Sequence, residues 1–149
     1  MARWVFLADP TDYGWTELVR DGRAVWDGIG NAVAQKNLRA ARPGDEVLIY
    51  HTAPDKAAVG TARVAGEARP DPAEPGRVVV DIEPVSALRR RVPLAELKAD
   101  GVLSGMGFIR MPRVAVQPLT DEQWDALMRA SGTDLATSVG VDPREAGGP

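Results

Sequence analysis

Apolar positions along this chain recur in short runs rather than long stretches. RWVFLA, Arg3 to Ala8, predicts a first strand whose alternation puts Trp4, Phe6 and Ala8 on one face. Asp9-Pro10 ends it, because proline holds the residue before it in extended backbone. Thr16 to Arg20 fits a short helix stopped by Gly22, and Asn31 is placed to cap a second helix through Leu38 to Ala41, closed by the Pro43-Gly44 turn. EVLIYHT and VGTARVAGEA are β-branched and partly alternating, which predicts two strands joined by the turn Ala53 to Lys56. RPDPAEPG has loop composition, and Arg77 to Pro84 predicts another strand. VPLAELKADG fits a short helix with Pro93 near its first turn and Gly101 after its last, and RVAVQP a final strand.

The strongest helical pattern is TDEQWDALMRASG, where Thr120 and Gln123 form a capping box and Trp124, Leu127 and Met128 recur on one face. Beyond it, periodicity stops. The expectation is one domain over residues 1–130 and a flexible C-terminal tail over 131–149. There is no internal repeat. Many short strands with interspersed short helices predict an α+β domain around a curled sheet or small barrel.

Composition narrows the chemistry. At 149 residues and 15.9 kDa the chain has enough length for one well-buried core. With 0 cysteines, disulfides, Fe–S clusters, thiolate zinc sites and a cysteine nucleophile are excluded, and a single histidine excludes a His-rich metal site. The only apolar run near the N-terminus, Trp4 to Ala8, is too short for a signal peptide or a membrane span, so the expectation is a cytoplasmic protein with no membrane partner. The excess of Ala, Arg, Gly and Pro, with 15 of the 18 basic residues being Arg, has the look of a GC-rich bacterial genome. A net charge of −3 argues against coating nucleic acid by bulk electrostatics. The acidity is nevertheless concentrated after Gln117, and residues 1–116 hold 15 acidic against 16 basic side chains, which leaves room for a locally basic face.

Candidate chemistry starts at WDGIGNAVAQKNLR, residues 26–39. Here the largest aromatic stands beside a glycine-loosened polar turn, where a ring is hard to bury fully. Trp26 either walls a pocket for a flat ligand or plugs the core.

In order along the chain, several motifs resemble the EVE domain, a relative of the PUA and YTH folds. Trp4-Val5-Phe6 followed by Asp9-Pro10 is similar to the family's first strand, and Trp26 to Asn31 to its WDG(V/I)xN. Lys36 to Arg39 matches xNLR, and Gly44 to Thr52 matches GDxVLxYHS. GTARV, Gly60 to Val64, and Pro70 to Pro72 match the strand and PDP that follow. Leu94 to Lys98 matches LxxLK, and Arg113 to Trp124 the closing RxxVxPxTxxxW. The resemblance implies a PUA-like fold: a mostly antiparallel, barrel-like sheet flanked by short helices. It further implies a non-catalytic, monomeric reader, without cofactor or metal, that takes a modified base such as a modified cytosine, flipped out of DNA or RNA, into an aromatic pocket. The chain departs from the family at Ala8, where serine is usual, at Gly30, where arginine is usual, and at Arg69, where an aromatic is common.

A flipped base is held by stacking and by hydrogen bonds to its edge. Trp26 suits the first task, and the resemblance favours it as a pocket wall; Asp27 and the backbone of Gly28 suit the second. Asn31 either bonds the base or merely caps its helix, and Asp9, beside Ala8, either accepts a base N–H or forms a turn. His51 and Thr52 end a strand at the same expected rim, although a lone histidine is more often a structural group. Trp4 is a core residue with a lesser claim on the pocket. Arg39, Arg110 and Arg113 flank the matched motifs and are the phosphate candidates. Two other classes stay open: a binder of a free nucleotide or other small ligand, and a hydrolase holding Mg²⁺ on Asp9, Asp12 and Asp27.

Overall fold

In the computed structural model, which describes residues 1–133, strand β1 (Arg3–Ala8) is buried along both faces. Its alternation separates two apolar clusters. Trp4, Phe6 and Ala8 face inward, and Val5 and Leu7 face outward. After β1 the chain forms helix α1 (Trp15–Asp21), strand β2 (Ala24–Trp26) and helix α2 (Ala32–Ala40) before returning as strand β3 (Glu46–His51). That long excursion lets β3 lie parallel to β1, with Arg3 opposite Glu46 and Ala8 opposite His51.

Strand β4 (Ala57–Val64), the two-residue β5 (Arg69–Pro70) and the long β6 (Val78–Pro93) follow. Next come α3 (Leu94–Ala99), a 3₁₀ turn at Leu103–Gly105, α4 (Gly107–Arg110), β7 (Val116–Leu119) and α5 (Asp121–Ala130). The sheet order is β2-β6-β4-β3-β1-β7, with β5 on β6, and every ladder except β1–β3 is antiparallel. Register shifts at Ile49/Tyr50, Ala58/Gly60 and Thr61/Ala62 mark where the strands bend, so the sheet curls into a half-barrel.

Helix α2 spans the open side. Asn37 Nδ2 donates to the Val116 carbonyl of β7 at 2.7 Å, while Gln35 Oε1 accepts from Val78 N of β6 at 2.8 Å. One helix thus satisfies backbone groups on β6 and on the edge strand β7, and its Leu38 fills the concave interior. On the convex face α5 buries Trp124, Leu127 and Met128, and both bonds of its capping box are present: Gln123 N to Thr120 Oγ1 and Thr120 N to Gln123 Oε1, each at 3.0 Å.

The expected strand Arg77 to Pro84 is much longer, because β6 continues through Arg89 to Arg91 with Leu88 and Val92 buried on either side. The loop RPDPAEPG contributes β5, and β2 has no counterpart in the sequence expectation. The chain is still packed at Ser131, which is fully buried and accepts from Arg90 N at 3.1 Å. The boundary expected at 131 therefore falls within packed chain, and the rest of the expected tail, 134–149, lies outside the described residues. No helix among the described residues is long and apolar enough to cross a membrane.

Candidate functional site

A cavity of about 470 Å³ opens where the end of β1 meets β2. Asp9 starts its wall. Its carboxylate accepts from Thr11 N at 2.9 Å and Thr11 Oγ1 at 2.6 Å, bonds that hold it below the ordinary aspartate range, while its carbonyl accepts from Asp12 N and Tyr13 N. The resulting tight turn aims Asp12 and Tyr13 at the cavity and feeds α1, which ends at Gly22 in the left-handed region (φ 73°). The chain then runs along the other rim through Arg23, Ala24 and Val25 to Trp26.

Pairing with Val80 of β6 fixes Trp26 at the end of β2. The ring lies 5.8 Å from Phe6, and Tyr13 meets it edge-on at 6.3 Å. It is 8% exposed, so it belongs to the core and to the cavity wall at once. Burial, with a 2.8 Å bond from its hydroxyl to Asp21 Oδ2, pushes the Tyr13 phenol up to about 12, so the phenol keeps its proton at physiological pH and donates it to that carboxylate. Around the mouth stand Asp9, Asp12, Asp21 and Asp27 against one cation, Arg23, which is already paired with Asp81 at 2.9 Å and Glu83 at 3.3 Å. The carboxylates of Asp12 and Asp27 have no hydrogen bond or ion pair among the described residues, and are free to accept from a ligand.

Of the nine expected pocket residues, Ala8, Asp9, Trp26 and Asp27 line this cavity. Gly28 (φ 73°) makes the turn that lets its neighbours Asp27 and Ile29 do so. The other four have structural duties. Asn31 Oδ1 accepts from Ala34 N at 3.0 Å as the α2 cap. Trp4 is buried away from the cavity, donating from Nε1 to Asp45 Oδ2 at 2.9 Å, and the same buried carboxylate takes the amides of Ala2 and Arg42. His51 is satisfied at both ring nitrogens: Nε2 accepts from Trp15 N at 2.9 Å, and Nδ1 lies 2.8 Å from Asp55 Oδ2. Thr52 is tied back to the Ala8 carbonyl and faces a different cavity. Replacing Asn31 with Ala should therefore lower unfolding free energy by ~1 kcal/mol, the usual value of such a cap, and leave ligand preference unchanged; denaturant melts beside binding titrations test this.

The phosphate candidates do not line the cavity either. Arg39 donates to the Gly76 carbonyl at 2.7 Å, and Arg110, the last residue of α4, and Arg113 just after it are exposed. At Gly30, where the resemblance expects arginine, the guanidinium of Arg77 lies 3.0 Å from where a Cβ would stand. Arg69 pairs with Asp81 at 3.0 Å. Among the described residues no three His, Cys, Asp or Glu side chains come together to hold a metal, so Asp9, Asp12 and Asp27 do not form the Mg²⁺ site entertained from sequence. The sequence missed Tyr13, Asp21 and Arg23 as wall residues; only the spacing of an aromatic and two charges around a short helix could have flagged them.

The model for the EVE domain matches residues 2–130. The chain belongs to the EVE domain family. Mouse thymocyte nuclear protein 1 is 30% identical over 136 residues, covering 74% of this chain and 60% of that protein. The human protein is 30% identical over 128 residues, 69% and 57% respectively. This chain thus spans less than two-thirds of these relatives. Among solved structures, a Rhodopseudomonas palustris protein superposes with a TM-score of 0.84 at 33% identity, covering 89% of this chain and 94% of that one. Human THYN1, solved in complex with DNA containing 5-methylcytosine, superposes with a TM-score of 0.82 at 24% identity, covering 90% and 99%, which establishes the shared fold.

Proposed function

We propose that this EVE domain reads a modified nucleobase in DNA or RNA as a monomeric, non-catalytic binder, receiving the flipped-out base in the cavity beside Trp26. The observation that carries the reading is the pairing of an aromatic wall, Trp26 with Tyr13 at its edge, with the unengaged acceptors of Asp12 and Asp27. A base offers a π-face to the first and N–H donors, such as an exocyclic amino group, to the second. The cavity's volume falls in the range of sites that enclose small flat ligands. The 30% identical human relative and the 5-methylcytosine DNA bound to human THYN1 support modified cytosine in DNA as the first ligand to test.

The deciding experiment titrates oligonucleotides carrying 5-methylcytosine, 5-hydroxymethylcytosine or N6-methyladenine against unmodified controls. A 2-aminopurine neighbour reports base extrusion. Preference for one modification, with a fluorescence rise, is the expected outcome; equal affinity for every oligonucleotide would sink the proposal.

One observation favours a second reading, a binder of free nucleosides or other small donors. Four carboxylates surround the mouth and its one arginine is already paired, an arrangement that repels phosphate. Salt separates the two. If Arg110 and Arg113 carry the backbone contacts, duplex affinity should fall with a log–log slope of about −2, from roughly −0.9 per phosphate. A flat salt response, with a free nucleoside bound as tightly as its oligonucleotide, would favour the small-ligand reading.

A further inference from the structure

On the convex face of the sheet a second cavity, of about 280 Å³, opens between the end of β3, the turn that follows it and helices α3 and α4. Tyr50 lines it. That side chain is 4% exposed, and its ring lies 4.6 Å from that of Phe108. Its hydroxyl has no hydrogen-bond partner among the described residues, and burial alone pushes the phenol up to about 12. Buried hydroxyls are nearly always hydrogen-bonded, so an orphan donor in a cavity wall marks a place for an acceptor.

Charge points the same way. Of the chain's three lysines, Lys56 and Lys98 both line this cavity, and neither ammonium has an ion pair or hydrogen bond among the described residues. The nearest acids in sequence are engaged elsewhere. Asp55 is held by His51 and Arg91, Glu96 by Arg90, and Asp100 by the amides of Val102 and Leu103. Lys56 also adopts a left-handed backbone (φ 49°), strain that its neighbours over-determine through bonds from Lys56 N to the Thr52 carbonyl and from Leu94 N to the Lys56 carbonyl. Leu94, Ile109 and Pro112 complete a largely apolar lining.

We propose that this cavity is a second ligand site, for a small monoanion with a flat apolar body, its carboxylate held by Lys56 and Lys98 and accepting a hydrogen bond from the Tyr50 hydroxyl. The ring system lies against Phe108 and the aliphatic wall. Charge complementarity selects an anion here, whereas the cavity beside Trp26, with its excess of carboxylates, selects a donor. The two sites are separate in function although Leu7 contributes to both.

Calorimetry with 2-naphthoate and its uncharged amide tests this on the full chain. The carboxylate should bind, and the amide should bind about tenfold or more weakly, because charge-assisted hydrogen bonds are the strong ones. The double variant Lys56→Gln/Lys98→Gln should lose about tenfold or more in naphthoate affinity while keeping its melting temperature. Tyr50→Phe should weaken binding several-fold without lowering the melting temperature, since the hydroxyl has no internal partner to lose. No naphthoate binding, equal binding of the amide, or a large thermal loss in Tyr50→Phe overturns the proposal. So does weakened oligonucleotide binding in the lysine variant without naphthoate binding, which would assign both lysines to nucleic-acid phosphate.

Discussion

Trp26→Ala is expected to lose about 5- to 150-fold in affinity for the preferred modified oligonucleotide, the equivalent of the ~1–3 kcal/mol that one base–aromatic stack contributes. The ratio of modified to unmodified binding should collapse with it. The structure adds a second loss. Because Trp26 is 8% exposed and lies beside Phe6 in the inner core, its truncation should also lower unfolding free energy by ~3–5 kcal/mol. A binding defect in that variant is consequently ambiguous alone. Phe6→Leu resolves it, since Phe6 is fully buried next to Trp26 and does not line the cavity. That variant should be destabilised yet retain its discrimination between modified and unmodified base, measured well below either variant's melting temperature. If both variants lose discrimination equally, or neither does, Trp26 is a core residue whose exposed edge has no part in recognition.

The elements that the sequence made legible are those whose pattern is local. β1 shows its alternation in six residues, α5 shows a capping box and a repeated apolar face, and both stand as expected. β2 is three residues long, too short for any period, and exists because Trp26 and its two predecessors find β6 more than fifty residues later. β6 hides behind Arg89 to Arg91, which look like a solvated charge run and are in fact the exposed part of a strand anchored by Leu88 and Val92. At the site, the order of the motifs was enough to bring Ala8-Asp9 and Trp26-Asp27 together. It could not show that Asn37, Arg39, Asp45 and His51, which lie in the matched motifs, tie strands, loops and helix ends together, as their hydrogen bonds do. A motif records both duties alike, and only geometry separates them.

The least legible contact couples the scaffold to the cavity. Gly60 sits in β4 where the pairing with both neighbours shifts register, and the Trp15 ring lies directly against it. A Cβ there would stand 2.6 Å from Trp15 Cη2 and Cζ3, atoms of a rigid ring that is itself buried. Gly60→Ala should cost ~1–3 kcal/mol through overpacking, only partly offset by the ~0.4–1 kcal/mol that alanine gains by restricting the unfolded chain. The effect should also reach the cavity. Trp15 opens α1 and donates its amide to His51 Nε2, and the same helix ends at Asp21, which accepts from Tyr13 on the cavity wall. Displacing the indole should therefore weaken ligand binding at a residue that touches no ligand. Trp15→Leu in the Gly60→Ala background relieves the clash, so a double-mutant cycle should show a favourable coupling of ~0.5–3 kcal/mol. A Gly60→Ala protein that melts at or above the parent temperature, or a cycle with no coupling, would mean that the indole moves aside freely and does not position α1 over the cavity.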